Sequence, residues 1–578
     1  MLNSPRSGPL SRKEIGMSTD WHDLVSQPKY NMKRRKDIAV PVRGGIHLAA
    51  DIYYPDAQGK FPALIGFSPY GKEIQKLPIG DYPTDTKFGN GGIESGQTEY
   101  FVSRGYVHIL VDCIGTGHSE GAFRVFTKKE FETAHDLIEW AAQQPWCNGN
   151  VGLLGMSYFA MIQYGIAAER PPHLKAIFPH DAAGDIYRHW GYHGGILDLG
   201  FCHHWWPQVL VQKLEMLDLQ GPELKRMVDM AKNNPDIQSW PYAYVALCYP
   251  EKNQHLFDLI VHPCDGPFYW ERSGYTKLDR INIPSYLLSR WTAWSIHLPG
   301  AFVAYEGIKA PKKLMITIPE SGVGFNRPWH ENHDLVLRWY DHWLKGNDTG
   351  IMDEPPIKIL VQGTNQWRFE NEWPLARTRW TKFYLRGNLR LDETAPGGGE
   401  KPESFSNQPG LKPGQPVPCL KFSTAPLDQD MEVTGPSALH LHASLNTDDT
   451  DWMVEIRDLD ASGSEKLVTM GWLKASHREL EEGKSKPYQP YHPHTRSILV
   501  EPGKVYEYPI ELRETSMVFK TGHRIELVIK GQDAPWEGKE YFRDVFWHLP
   551  RTKETLHTVY HSPEFPSYLL LPIIPKTT

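Results

Sequence analysis

Residues 151–160, Val151-Gly152-Leu153-Leu154-Gly155-Met156-Ser157-Tyr158-Phe159-Ala160, decide the fold. A short apolar run ends at Gly155-Met156, and beyond Ser157 a helical spacing of apolar residues continues to about Glu169, where Pro171-Pro172 stops it. A serine between a buried strand and a helix sits on a sharp turn that needs a small residue before it. Its Oγ is lifted to the helix N-terminus, where developing negative charge is favoured. Phe159 stands where such turns usually carry a second glycine.

Outward from this bend, strands and helices alternate. Residues 61–67, 105–112 and 176–179 are compact apolar strands, and 37–42 with 46–54 form a hairpin around Arg43-Gly44-Gly45. Phe131, Ala134, Leu137, Ile138 and Ala141 predict a helix over 129–143. After residues 185–272, which read as Trp-rich amphipathic helices such as 205–216 and 223–231, strands return at 283–288 and 313–318, followed by a helix at 335–344. This alternation implies a mostly parallel sheet covered on both faces. Beyond Pro355 short alternating strands at 357–361, 439–443, 452–456 and 525–529 predict a β-sandwich. The fold class is α/β: an α/β-hydrolase core with an inserted helical cap and a C-terminal β-sandwich. The expected divisions are a disordered tail 1–25, core 26–184, cap 185–274, core again 275–351, and sandwich 352–578.

Composition narrows the partners. A chain of 578 residues exceeds a single core of ~250–300 residues. A net charge of −7, with one short basic patch at Lys33-Arg34-Arg35-Lys36, excludes nucleic acid as an expected partner. Cysteines 113, 147, 202, 248, 264 and 419 form no CxxC pair and no zinc or disulfide spacing, so they read as reduced thiols. No run of ~18 apolar residues and no signal-like segment is found, and the expectation is a cytoplasmic protein away from membranes. No nucleotide, flavin or haem motif occurs, so no cofactor is expected. His189 and His193 are interrupted by Gly191, and no metal is expected either. Trp190, His193 and Trp205, with Trp291 and Trp294, read as an aromatic wall for an apolar small-molecule substrate. Self-association stays open.

Several longer words extend the pattern: Asp112-Cys113-Ile114-Gly115-Thr116-Gly117-His118-Ser119-Glu120-Gly121, Gln144-Pro145-Trp146-Cys147-Asn148-Gly149-Asn150, Asp185-Ile186-Tyr187-Arg188, Tyr340-Asp341-His342-Trp343-Leu344-Lys345-Gly346, Asp449-Thr450-Asp451-Trp452 and Gly522-His523-Arg524. With the serine turn, they resemble the cocaine esterase and X-prolyl dipeptidyl-peptidase hydrolases, the CocE/NonD family, from about residue 37 to the C-terminus. The resemblance implies hydrolase core, cap and jelly-roll. It also implies that the Tyr70 hydroxyl helps form an oxyanion hole, with the backbone N–H of Tyr158 as second donor.

The chain departs from that family at the partners of its serine. Ala293, in Trp291-Thr292-Ala293, stands in place of the acid, and the segment 316–324 lacks the catalytic histidine. Glu320 is the nearest titratable group there, and His297, His330 and His333 are the candidate bases. Two enzymatic readings follow. One is a serine hydrolase or acyl-transfer enzyme acting on an ester or amide of an apolar small molecule, with Ser157 as nucleophile. The other is a non-hydrolytic cyclase, lyase or isomerase of natural-product type on a triad-degenerate scaffold. A non-catalytic binder is the third.

Overall fold

The computed structural model describes residues 20–76, 94–215, 221–318, 329–535 and 547–576, without the side chains of 204 and 329–331. Ten strands form the first sheet: β1 (Met32–Val42), β2 (Ile46–Pro55), β3 (Phe61–Ser68), β4 (Val107–Asp112), β5 (Cys147–Met156), β6 (Leu174–His180), β7 (Ser285–Arg290), β8 (Lys312–Thr317), β9 (Ile357–Val361) and β10 (Gln366–Glu370). Their order is β1-β2-β4-β3-β5-β6-β7-β8-β9-β10, parallel from β4 to β9 and antiparallel at both ends.

Alternation along the central strands explains the two-faced burial. Ile65, Leu153, Ile177 and Leu287 join the core that holds helices α1 (Lys128–Ala142), α2 (Tyr158–Ala168) and α3 (Leu298–Gly307). Their neighbours Leu64, Leu154, Phe178 and Leu288 face the opposite core, under α4 (Trp329–Lys345).

Three sequence expectations shift. The strands at 357–361 and 366–370 extend the hydrolase sheet, with Leu314 opposite Ile357, so the sandwich strands begin only at Arg379–Arg386. Within the tail expected over 1–25, residues 20–25 are structured: the Asp20 side chain caps the turn Trp21–Leu24, the Arg338 guanidinium lies over the Trp21 ring and Val25 is buried, while residues 1–19 lie outside the described residues. The helix expected over 205–216 runs earlier, as Leu199–Trp205 and a short 3₁₀ turn Trp206–Gln208. Pro207 ends the α-helical ladder there because it cannot donate a backbone hydrogen bond.

The second domain is an eleven-stranded sheet rolled on itself, since Met431–Leu445 pairs with both Tyr506–Phe519 and Tyr568–Ile574 and so closes the ring. Closure removes exposed edges. Arg188 ties cap to sandwich: its guanidinium donates to Asp185 (2.9 Å), to Asp265 (2.7 Å), and to the carbonyls of His492 (2.9 Å) and Pro493 (3.0 Å).

Removing one member of a buried ion pair costs ~3–5 kcal/mol because the partner charges remain. Arg188→Met is expected to lower the thermal midpoint and to speed proteolysis within the cap, and an unchanged melting curve would refute this account of the joint.

Candidate active site

Ser157 occupies the bend between β5 and α2 with φ 56 and ψ −116. Its N–H donates to the carbonyl of His180 on β6 (3.0 Å), while its own carbonyl accepts from Ala160 (2.9 Å) and Met161 (2.8 Å). Gly155, two residues earlier, has φ +144, and a Cβ placed there would lie 2.2 Å from Cβ of Phe159. The bare α-carbon at 155 therefore makes the room that lets a phenylalanine stand where a second glycine is usual.

His297 brings Nε2 to 3.3 Å from Ser157 Oγ. It lies just before α3, at the end of the turn that follows β7. Ala293 contributes its carbonyl to that turn, accepting from the N–H groups of His297 (3.3 Å) and Leu298 (2.9 Å). Burial pulls the His297 imidazole down to about 4, against the pull of the Asp181 carboxylate and with a smaller push from Arg290. At neutral pH the ring is uncharged and able to take a proton.

A buried polar group lies behind the pair. Asp181 accepts from Arg290 Nε (2.8 Å) and Nη2 (2.6 Å) and from Ser289 Oγ (2.9 Å). Burial, reinforced by the Asp181 charge, holds the Glu94 carboxyl well above its ordinary range.

On the other side, Tyr70 Oη accepts from the indole N–H of Trp205 (2.8 Å). The Tyr158 ring stacks on Phe126 (4.4 Å) and on Trp205 (6.0 Å), and its hydroxyl donates to Glu130 (2.8 and 3.0 Å). Burial pushes the Glu130 carboxyl up to about 7. Tyr158 is the first residue of α2, where backbone N–H groups have no acceptor within the helix. The arrangement can thus activate a hydroxyl and stabilise an oxyanion beside it.

The remaining sequence candidates scatter. Trp190 is buried behind Trp205, edge-on at 5.0 Å, and donates to His255 Nε2 (2.5 Å). The contacts of three others are structural, where a pocket wall was expected: Trp291 donates to Leu360 O (2.7 Å), Trp294 to Val468 O (3.2 Å), and His193 Nδ1 pairs with His548 Nε2 (2.8 Å) at the joint with the sandwich. Trp294 and His193 join the hydrolase part to the sandwich, and Trp291 bonds within the hydrolase sheet. His333 lies under the opposite face of the sheet, stacked on Tyr100 (4.9 Å) and accepting from Gln97 N–H (3.3 Å). Glu320 and the His330 side chain lie outside the described residues. Asp37, Glu73 and His118 offer atoms within reach of one cation, but the Lys72 ammonium donates to both carboxylates there.

The sequence reading missed Glu94, Glu130, Asp181 and Arg290. For Asp181 a signal existed: a charged residue directly after an apolar parallel strand stands at the carboxyl end of the sheet, where open α/β sheets bind ligands.

Comparison with known proteins agrees with this fold. A family model described as X-Pro dipeptidyl-peptidase (S15 family) matches residues 44–319, and one for the X-Pro dipeptidyl-peptidase C-terminal non-catalytic domain matches 349–570. Cocaine esterase from Rhodococcus sp. (strain MB1 Bresler) is 26% identical, over 94% of this chain and 99% of that protein. The crystal structure of a CocE/NonD family hydrolase from Staphylococcus aureus superposes with a TM-score of 0.77 at 25% identity, over 94% of each chain. An α-amino acid ester hydrolase, at 19% identity, shares the fold with a TM-score of 0.72 over 96% of this chain and 100% of that one. Among the described residues no helix is long and apolar enough to cross a membrane.

Gly155→Ala would add a Cβ to a backbone at φ +144, against the Phe159 side chain. Overpacking and strain together cost about 2–3 kcal/mol, which at ~2–4 °C per kcal/mol for a domain of this size lowers the midpoint by roughly 5–10 °C. A Gly155→Ala variant that melts at the wild-type midpoint would show that neither the close approach of Phe159 nor the backbone conformation at 155 requires glycine.

Proposed function

We propose, from the premise that this chain belongs to the CocE/NonD (X-Pro dipeptidyl-peptidase S15-like) family of hydrolases, that it is a serine hydrolase acting on an ester or amide of an apolar small molecule. The 3.3 Å contact between Ser157 Oγ and His297 Nε2 carries the reading. Catalytic hydrogen bonds are often long before substrate binds.

In this mechanism Oγ attacks the substrate carbonyl carbon while His297 Nε2 takes its proton. The tetrahedral oxyanion is met by the Tyr70 hydroxyl and the Tyr158 N–H. Trp205 donates to Tyr70 Oη, which engages one lone pair of that oxygen and fixes the position of the hydroxyl. Collapse expels the alcohol or amine, which takes the proton from the imidazolium. Water, deprotonated by the same ring, then releases the acid. The surrounding rings of Tyr70, Tyr158 and Trp205 favour an apolar acyl group. The six free cysteines suit a reducing compartment and so a cytoplasmic location.

A fluorophosphonate probe should label the wild type and leave Ser157→Ala unlabelled. His297→Ala should slow acylation by roughly 10²–10⁴-fold, the usual contribution of a general base. Labelling of Ser157→Ala at the wild-type rate would remove the serine from the mechanism.

The pH profile gives a second test. His297 works as a base only when neutral, and burial has lowered its pKa to about 4, so activity falls as pH drops through that value. kcat/KM for an uncharged ester should be flat from pH 7 down to about 5. A half-point near 6.5, the value for an ordinary histidine, would contradict the buried environment assigned to the ring.

A further inference from the structure

Asp181 ends β6, the strand next to the one that presents the nucleophile. The Ser157 N–H donates to the carbonyl of His180, so residue 181 follows directly on the contact that sets the bend. On the other side, Asp181 N–H donates to Leu288 O of β7 (2.7 Å). The residue is therefore clamped between its two neighbours, with a carboxylate fully buried and oriented by Ser289 Oγ and the Arg290 guanidinium.

Ser157, Asp181 and His297 leave the carboxyl ends of β5, β6 and β7, three adjacent strands, in the chain order in which α/β-hydrolase triads assemble. We propose that Asp181 is the acidic positioning residue for His297, so that acid and base each stand one strand earlier than the positions at Ala293 and after β8. The inference rests on Ser157 and His297 acting as nucleophile and base.

Among the described residues, the groups facing the imidazole are Ser157, His180 and Asp181 from the ends of β5 and β6, and Arg290 from β7, with Glu94 in turn facing Asp181 and Arg290. Burial holds the Glu94 carboxyl well above its ordinary range and lowers His180 to about 4. Of the two described charges that act on His297, the Asp181 carboxylate acts more strongly than the Arg290 guanidinium. When His297 takes the serine proton, the imidazolium forms beside a fixed negative charge. Arg290 then serves to keep Asp181 ionised in a dry site.

The test is the rate of fluorophosphonate acylation against pH. Asp181→Asn should slow acylation roughly 10²–10⁴-fold with little change in KM for an ester substrate, and should move the acid limb to lower pH, since the charge that favours the imidazolium is gone. Arg290→Gln, which takes away the charge that keeps Asp181 ionised, should slow acylation as well and move the limb the same way. A packing role alone would change rates without moving the limb. Should Asp181→Asn fail to fold, Asp181→Asn/Arg290→Met removes both charges together and should show the same slow acylation. Acylation within threefold of wild type in a folded variant lacking Asp181, or a limb unmoved in both single variants, overturns the proposal. That result, with Ser157→Ala and His297→Ala still inactive, would leave the nucleophile and base assignments standing.

Discussion

The backbone of one residue organises the site. A non-glycine residue at φ 56 and ψ −116 carries strain of order 1–3 kcal/mol and persists only where its surroundings over-determine it. Here the determination comes from three directions: the amide is held by His180 on the neighbouring strand, the carbonyl by the first turn of α2, and the preceding Met156 amide by the Glu94 carbonyl. The bare α-carbon of Gly155 lets the chain turn without displacing Phe159. The same bonds that tolerate the strain bring His180 and Asp181 up behind Ser157, so backbone geometry and electrostatics have a common origin.

Burial then sets the chemistry. His297, Asp181, Arg290 and Glu94 are all removed from solvent, and an unpaired charge there would be costly. The structure answers by pairing Asp181 with Arg290, by holding the Glu94 carboxyl well above its ordinary range, and by leaving His180 and His297 neutral at pH 7. The Trp205 to Tyr70 and Tyr158 to Glu130 bonds anchor both tyrosine rings. Such a network needs little reorganisation when charge develops, which is how fixed dipoles lower a barrier.

The outer domains hold this arrangement closed. Arg188 binds two cap carboxylates and two sandwich carbonyls at once, and the chain from His193 through His548 to Asp533 forms a second buried tie. Trp294 reaches from the turn that carries His297 to a carbonyl of the sandwich. The rolled sheet therefore braces the segment that presents the base.

Much was legible in the chain itself, for local reasons. Strand, turn and helix around Ser157 follow from apolar periodicity and from glycine at 155, and the alternation on either side implied a parallel sheet. The limits of the cap helices and the sheet membership of 357–361 depended on proline placement and on which edge was free to pair, and a run of apolar residues carries neither. The same holds for the serine's partners. Ala293 and the empty position after β8 read as losses in one dimension, because family spacing assigns roles by position. Only the tertiary structure decided that His297 meets Ser157 and that Asp181 stands behind it, since Ser157 and His297 follow strands on either side of β6 and lie 140 positions apart in the chain, a distance that local pattern cannot span.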